Sequence, residues 1–223
     1  MFPAAVIFDF DGIIVDTEPL HYKAFQKVLE PLGLGYSWQD YIEIYMGFDD
    51  RDAFRVVFKR AEKPLDDNYL HELIEKKASF FEEIALGVTA YPGVLDLLKV
   101  LKDKNVPLAI CSGALRSDIL PILTQLKIIN YFNHIVTADD VCISKPHPDC
   151  YLAAKNMLIQ SFSKELNNNS LIYAIEDTPA GIQSAKGAGL RVIAVTNSYP
   201  EGMLEFADAI IQTQTELLTS SWP

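Results

Sequence analysis

The sequence predicts an α/β protein with a doubly wound parallel sheet as its core and an all-helical cap domain inserted after the first strand. Short runs rich in Val and Ile recur along the chain, and the later runs alternate with segments of helical length. Near-continuous apolar runs between helices are typical of strands buried on both faces of a parallel sheet. Between the first two runs the sequence carries only helical periodicity, which predicts the inserted cap.

Six apolar runs have the length of strands: residues 4–10, 107–113, 134–140, 171–177, 191–197 and 207–213. Helix-sized segments lie between the later runs, at residues 94–104, 116–127, 148–158 and 179–189. Strands that alternate with single helices in this way predict a Rossmann-like sheet with helices on both faces.

The cap is predicted at residues 17–88, and the core at residues 1–16 and 89–223. Apolar residues recur at helical spacing in residues 20–30, 49–62 and 69–84, with turns indicated at residues 31–35, at Gly47 and at Pro64. An insert after the first strand of an open α/β sheet lies above the carboxyl ends of the strands, where such sheets bind ligands. We therefore expect the cap to act as a lid.

Composition narrows the class of partner. The 223 residues carry a formal net charge of −11, which argues against nucleic acid or an anionic membrane, because phosphate-rich surfaces select basic proteins. Three irregularly spaced cysteines predict reduced thiols, and the first apolar run is too short for a signal peptide. We expect a cytoplasmic protein with a small-molecule partner, as a monomer, with an oligomer left open.

Polar side chains follow the first two predicted strands. Asp9 and Asp11 come after the first strand, and Ser112 and Gly113 come after the second. Because the carboxyl ends of parallel strands meet at one edge of the sheet, we expect these residues to lie close together. The serine hydroxyl and backbone N–H groups suit phosphate oxygens. Taken singly, the acids also fit a solvated strand end, and the Ser-Gly pair fits a plain turn.

Three more charged residues follow the later strands. Lys145 comes after the third run, and Glu176 and Asp177 end the fourth. Alone, Lys145 fits a surface lysine, and the two acids fit the capped start of a helix. Beside Asp9 and Asp11, however, the acids would crowd more negative charge than one lysine offsets. Mg²⁺, a hard cation that prefers oxygen ligands, is the simplest counter-charge.

Four motifs stand in order along nearly the whole chain: FDFDGIIVDTEPLH, AICSGA, SKPHPDCY and AIEDTPAGIQSAKGAG. Together they resemble the motifs of the haloacid dehalogenase-like (HAD) hydrolase superfamily. The helical insert directly after the first motif, with YPGVLDLL at its exit, is similar to the branch that contains β-phosphoglucomutase and phosphoglycolate phosphatases.

The resemblance implies a role for each motif residue. Asp9 would be the nucleophile that forms an aspartyl-phosphate, and Asp11 the general acid and then the general base. Ser112 and Lys145 would hold the phosphoryl oxygens. Mg²⁺ would be bound by Asp9, the Asp11 backbone carbonyl and Asp177, with Glu176 in support. The predicted substrate-binding residues are Thr17, His21, Arg51, Ser112, Gly113 and Lys145; His21 fits a plain residue of the first cap helix equally well.

The predicted substrate is a small phosphorylated metabolite such as a sugar phosphate. In β-phosphoglucomutase a Lys-Gly-x-x-Arg segment of the cap grips a second phosphate, whereas here Met46 replaces the lysine and Arg51 is displaced by one position. A bisphosphate needs a second basic site. We therefore predict a Mg²⁺-dependent phosphatase. A β-phosphoglucomutase-type mutase and a catalytically inactive binding module are the alternatives.

Overall fold

The computed structural model describes residues 2–46, 48–85, 87–219 and 222–223, so the turn predicted at Gly47 lies outside the described residues. Its strands are β1 (Ala5–Phe8), β2 (Leu108–Cys111), β3 (His134–Val136), β4 (Ile172–Glu176), β5 (Arg191–Val195) and β6 (Ala209–Ile211). They form one sheet in the order β3-β2-β1-β4-β5-β6, and every neighbouring pair is parallel.

Four helices of the core connect these strands: α5 (Val94–Asp103), α6 (Arg116–Gln125), α7 (Asp149–Ser161) and α8 (Pro179–Gly187). The cap contributes α1 (Glu18–Leu29), α2 (Trp38–Asp40, continued as a π-helix over Tyr41–Tyr45), α3 (Asp50–Arg60) and α4 (Asp67–Ile84). Short 3₁₀ helices lie at Glu30–Leu32, Ile129–Tyr131, Ala138–Asp140, Glu201–Met203 and Gln214–Leu218.

Strand β1 is buried on both faces. Val6 and Phe8 pack into an apolar cluster that also contains residues of α5 and α6, whereas Ala5 and Ile7 pack into a second cluster with residues of α7 and α8. Burying a large aliphatic or aromatic side chain contributes about 1.5–3 kcal/mol, so the two layers hold the strand firmly in place. This arrangement confirms the predicted α/β fold with helices on both faces of a parallel sheet.

The third predicted strand is shorter than its apolar run. It ends at Val136, because the Thr137 and Asp140 side chains form reciprocal hydrogen bonds that start a 3₁₀ helix at Ala138. The backbone N–H groups of Thr137 and Asp140 donate within this capped turn, and that of Ala138 donates to the Ala114 carbonyl, so none of the three extends the strand.

The cap has an apolar core of its own. Phe25 and Leu29 of α1 pack with Phe54 of α3, Leu73 of α4 and Tyr41. The helical content predicted between the first two strands is present, while the predicted boundaries at residues 17 and 88 stay a prediction. Among the described helices, none is both long enough and apolar enough to cross a membrane.

The order of strands reverses between β1 and β4, since the chain adds β2 and β3 on one side of β1 and β5 and β6 beyond β4. In open α/β sheets the crevice at such a reversal is the usual ligand site. The chain turns sharply here at Gly12, whose φ is +79°. A Cβ atom at Gly12 would lie 1.9 Å from Asp177 Oδ2, so only glycine lets these two strand ends approach each other.

Candidate active site

Lys145 forms ion pairs with acids at the carboxyl ends of both β1 and β4. Its Nζ lies 2.5 Å from Asp9 Oδ1 and 2.7 Å from Glu176 Oε1. Burial lowers the pKa of Lys145, but the charges of Asp9 and Glu176 outweigh it, so the pKa lies well above the ordinary value and the ammonium keeps its proton. The lysine is only 7% exposed, so the alternative of a surface lysine is wrong.

Both oxygens of Glu176 already accept several hydrogen bonds. Oε1 accepts from Lys145 Nζ and, at 3.0 Å, from the Tyr151 hydroxyl. Oε2 accepts from the backbone N–H groups of Asp177 (3.0 Å) and Thr178 (3.2 Å) and from the Thr178 hydroxyl (3.0 Å). A carboxylate offers about four acceptor positions in all, so Glu176 is fully used in holding Lys145 and the β4 turn.

Asp177 is buried and incompletely bonded. Its Oδ2 accepts a hydrogen bond from Ser198, while Oδ1 has no partner among the described residues. The pKa of Asp177 lies well above its usual range, first because of burial and then because Glu176 and Asp9 lie beside it. Asp177 does not cap α8, since the Thr178 side chain accepts the hydrogen bond from Gly181 N; the capping alternative is therefore wrong for Asp177.

The three acids can hold a metal ion. Asp9, Glu176 and Asp177 each offer an oxygen, and these atoms lie within 4.8 Å of one another. Lys145 offsets one of the three negative charges, and burial raises the pKa of Asp9 well above normal in spite of it. A buried carboxylate oxygen without a donor, in a set of oxygen ligands with excess negative charge, fits Mg²⁺. Asp9 and Asp177 are the freer ligands, because Glu176 is already used.

Asp11 lies in a different environment from Asp9. The Thr17 hydroxyl donates to its Oδ1, His21 Nε2 lies 3.3 Å from the same oxygen, and Ser112 Oγ lies 3.3 Å from Oδ2. Burial raises the pKa of Asp11, but the hydrogen bonds from His21 and Thr17 outweigh it and the net pKa is below the ordinary value. Two neighbouring carboxyls therefore have pKa values shifted in opposite directions.

Lys77 determines which nitrogen of His21 carries the proton. Its Nζ lies 2.7 Å from His21 Nδ1, 3.0 Å from Asp50 Oδ1 and 3.3 Å from Asp118 Oδ2. Burial lowers the pKa of Lys77, but Asp50 and Asp118 outweigh it and the pKa is raised, so the group is an ammonium. An ammonium only donates, so Nδ1 accepts and Nε2 keeps the hydrogen that points to Asp11.

A pocket lies between the cap and the core, with a cavity volume of about 50 Å³. One water molecule needs about 10–15 Å³, so this volume holds only a few water molecules, and we expect the cap to move to admit a substrate. The core contributes one wall, which we call the core side: Asp9, Asp11, Gly113, Ala114, Lys145 and Thr178. The other wall, the cap side, consists of Glu18, His21, Phe25, Tyr41, Phe48 and Asp50.

Most of the predicted site residues come together here. Ser112 is buried beneath the pocket, where its Oγ accepts from Ala114 N at 3.0 Å. Thr17 is fully buried and bonds Asp11. His21 does more than fill space in its helix, since it connects Lys77 to Asp11.

Arg51 bonds residues that do not line the pocket. Its guanidinium bonds Asp49 Oδ2 at 2.9 Å through Nε and reaches the backbone carbonyls of Ala138 and Val141 at 3.4 Å. These carbonyls belong to the core, so Arg51 joins the cap to the core beside the pocket. Its predicted role in substrate binding stays a prediction that this geometry does not favour.

Lys77, Asp50 and Asp118 are not among the site residues that the sequence predicts. Lys77 stands on the buried stripe of α4, between Leu73 and Phe81, where the helical period calls for an apolar residue. That break in the pattern was the available signal. Which acids meet the ammonium depends on how α3, α4 and α6 pack, and periodicity alone does not give this.

Comparisons with known proteins agree with the fold. A model of the family described as haloacid dehalogenase-like hydrolase matches residues 6–195. A phosphorylated carbohydrates phosphatase of Thermotoga maritima is 30% identical over 218 residues, which covers 96% of each chain. A β-phosphoglucomutase of Bacillus subtilis is 30% identical over 227 aligned positions, covering 98% of this chain and 95% of that one.

Among solved structures, the crystal structure of CbbY from Rhodobacter sphaeroides in complex with phosphate superposes with a TM-score of 0.84. Its identity is 24%, and the match covers 97% of this chain and 96% of that chain. The structure thus shares its fold with a protein that binds phosphate, and the family model spans most of the sequence. This protein is a hydrolase of the haloacid dehalogenase-like family.

Proposed function

We propose that the protein is a Mg²⁺-dependent phosphatase that hydrolyses a small phosphorylated carbohydrate through an aspartyl-phosphate on Asp9. The observation that carries the proposal is the pair Asp9 and Asp11: one carboxyl is bonded to a lysine, and the other to a hydroxyl and an imidazole. Unlike environments for two neighbouring acids are the usual basis for dividing nucleophile and acid–base roles between them.

Asp9 is the nucleophile in this proposal. Lys145 bonds Oδ1, which leaves Oδ2 to attack the phosphorus atom while the bond from phosphorus to the leaving oxygen breaks. The Lys145 ammonium also lies where it attracts the phosphoryl oxygens, and the Gly113–Ala114 backbone lines the same wall.

Asp11 transfers the proton in both steps. Its lowered pKa favours the carboxylate, but an anionic phosphoryl group beside it would raise its pKa and favour the protonated acid. Protonated Asp11 gives its proton to the leaving oxygen. The resulting carboxylate then takes a proton from the water that attacks the phosphorus atom of the aspartyl-phosphate, and the bond from phosphorus to Asp9 Oδ2 breaks to release inorganic phosphate. General acid–base catalysis of this kind contributes on the order of 10²–10⁴-fold.

Asp9 and Asp177 would hold the Mg²⁺, with the Asp11 carbonyl and Glu176 in support. When bound, the ion would supply positive charge that offsets the phosphoryl oxygens. The unpartnered Asp177 Oδ1 and the uncompensated charge of the three acids support this assignment.

The relatives divide between phosphatases and a mutase, so a sugar phosphate mutase is the second candidate. The cap side favours the phosphatase. Among the described residues that line it there is no lysine or arginine to bind the second phosphate of a bisphosphate intermediate. Carbohydrate monophosphates agree with the hydrogen-bonding groups that line the pocket and with the relative from Thermotoga maritima, a phosphorylated carbohydrates phosphatase.

Phosphate release tests the proposal. We expect the protein to release inorganic phosphate from phenyl phosphate and from a panel of sugar monophosphates with Mg²⁺ but not with EDTA. Asp9→Asn should abolish release, whereas Asp149→Asn, a change at a half-exposed surface acid, should not. Full activity in Asp9→Asn would rule out the covalent step. Isomerised sugar phosphate without net phosphate release would instead establish the mutase.

A further inference from the structure

Asp50 offers the cap side an unused hydrogen-bond acceptor. Its side chain is 9% exposed, and Oδ1 pairs with Lys77 Nζ at 3.0 Å. Oδ2 is buried and has no partner within the described parts of the chain. A buried carboxylate oxygen without a donor is costly, and this one belongs to a residue that lines the pocket.

The rest of the cap side is acidic and aromatic. Glu18 accepts a hydrogen bond from the Tyr41 hydroxyl, and burial raises the pKa of Glu18. Phe25 and Phe48 supply apolar walls. Lys145 lies on the core side, next to Asp9, where it serves the phosphoryl group. The part of the pocket that receives the leaving group therefore attracts hydrogen-bond donors and repels anions.

We infer that Asp50 is a specificity-determining residue whose Oδ2 accepts a hydrogen bond from a hydroxyl group of the substrate. The substrate class is then a monophosphate whose leaving group is uncharged and carries hydroxyls, and bisphosphates are excluded. This inference rests on the proposed phosphatase function and adds to it the reason for selecting one substrate class.

Cap closure links the proposed bond to Asp50 Oδ2 with the choice between substrates. When the cap opens, water reaches Asp50; when it closes around a leaving group without a hydroxyl, Oδ2 loses that water and gains nothing. A hydroxyl in the right place restores the bond, so closure is favoured by the correct substrate. A second phosphate would instead bring its negative charge against Asp50 and Glu18.

Asp50→Asn gives a sharp test because Lys77 orients the new side chain. The ammonium only donates, so the amide oxygen must face Lys77 and the NH₂ group takes the place of Oδ2. The acceptor thereby becomes a donor, and a negative charge is lost. Bisphosphate oxygens can accept from that NH₂, whereas the charge-assisted bond from a substrate hydroxyl disappears.

The experiment measures kcat/KM for three probes: phenyl phosphate, a sugar monophosphate and the bisphosphate of the same sugar. The wild type should prefer the sugar monophosphate over both others. In Asp50→Asn the ratio of bisphosphate to monophosphate should rise roughly tenfold or more, since charge-assisted hydrogen bonds are about twice as strong as neutral ones. Asp118→Asn is the matched control, because Asp118 also pairs with Lys77 but does not line the pocket. Asp118→Asn should change kcat/KM for all three probes by one common factor.

If Asp50→Asn also changes kcat/KM for all three probes by one common factor, the residue has a purely structural role and the inference is overturned. Wild-type protein that hydrolyses phenyl phosphate without any preference for the sugar monophosphate would overturn it too, while leaving the phosphatase function in place. Absence of phosphate release from all three probes would overturn both.

Discussion

The core side and the cap side of the pocket differ in how their charged groups are bonded. On the core side, strand ends bring Asp9, Lys145 and Glu176 together, and the lysine pairs with both acids. On the cap side, Lys77 contacts His21, which in turn contacts Asp11, and Asp50 pairs with the same lysine through Oδ1. The core-side lysine and acids are thus bonded to one another apart from Asp177 Oδ1, while on the cap side Asp50 Oδ2 has no partner among the described residues.

The two sides also differ in how they are held. The core-side residues follow strands that are buried on both faces, so their backbone is fixed by the sheet. The cap-side residues project from helices that pack among themselves, and His21 among them contacts Asp11. We expect the chemistry to lie on the core and the selection of substrate on the cap, a common division in enzymes with lids.

Loss of Lys145 should have the largest effect. Lys145→Met leaves the buried carboxylates of Asp9 and Glu176 without their counter-charge, which costs about 3–5 kcal/mol of unfolding free energy. Urea denaturation measures this. The control is Lys186→Met, which breaks a partly exposed ion pair with Asp208 and should cost about 1 kcal/mol or less. Equal losses in the two variants would contradict a buried network centred on Lys145.

Mg²⁺ binding should have the next largest effect on the stability of the protein. Because the folded-state pKa of Asp177 is raised, metal-free native protein binds more protons than the unfolded chain, and its stability falls as pH rises above the ordinary carboxyl range. Mg²⁺ at 100 times its Kd should restore about 2.7 kcal/mol. That corresponds to a rise in Tm of roughly 5–10 °C. The rise should be large at pH 8 and small at pH 5, where protons compete for the same oxygens.

Asp177→Asn separates this effect from general salt effects. The variant should lose the Mg²⁺-dependent rise in Tm, and without metal it should be at least as stable as the wild type, because an uncompensated buried charge is gone. Thermal scans of both proteins with and without Mg²⁺, in Ca²⁺-free buffers of matched ionic strength, give the comparison. A rise in Tm with Mg²⁺ that persists in Asp177→Asn would place the metal elsewhere.

The core side could be predicted from sequence and the cap side largely could not. Parallel strands bring their carboxyl ends to one edge, so Asp9, Lys145 and Asp177 are expected together once the strands are recognised. The cap has no such rule. His21 and Lys77 each stand on the buried stripe of a different helix, and only the packing of those helices decides that they meet.

Asp50 shows where sequence interpretation fails most clearly. It stands at the first position of α3, where an acid is favoured by the helix dipole whether or not it does anything else. Its burial, its pairing with Lys77 and its unpaired oxygen depend on α4 and on the closed cap. A polar residue in register with the buried positions Ala53, Phe54 and Val57 is the one sign that the sequence carries.

Removal of His21 should have an intermediate effect, since it breaks the link between the two sides. His21→Phe keeps the stacking on Phe81, whose ring centroid lies 4.2 Å away, but removes both nitrogens. One hydrogen bond to a charged group is lost, so kcat should fall roughly 10- to 100-fold. Because the His21 bond helps to lower the pKa of Asp11, its loss raises that pKa, and the limb of the pH–rate profile that reports Asp11 should move to higher pH.

The control for this variant is His71→Phe, a change at an exposed cap histidine that pairs with Glu75. It should leave both kcat and the pH profile unchanged. A fall in kcat for His21→Phe without any movement of the pH limb would mean that His21 supports the cap structurally and does not act on Asp11.

The smallest effect should come from the contacts that hold the cap closed at its edge. Arg51 reaches the carbonyls of Ala138 and Val141, and Asp52 accepts a hydrogen bond from Ser144 across the same boundary. Each bond contributes about 0.5–1.5 kcal/mol, so Arg51→Met and Asp52→Asn should each change kcat/KM by roughly 2- to 10-fold. Similar values in the two variants would mean that both act through cap closure. A loss near 100-fold in Arg51→Met alone would instead show that the guanidinium contacts the substrate, as the sequence suggested, because a direct bond from arginine to a phosphate is charge-assisted and is worth about twice a neutral hydrogen bond.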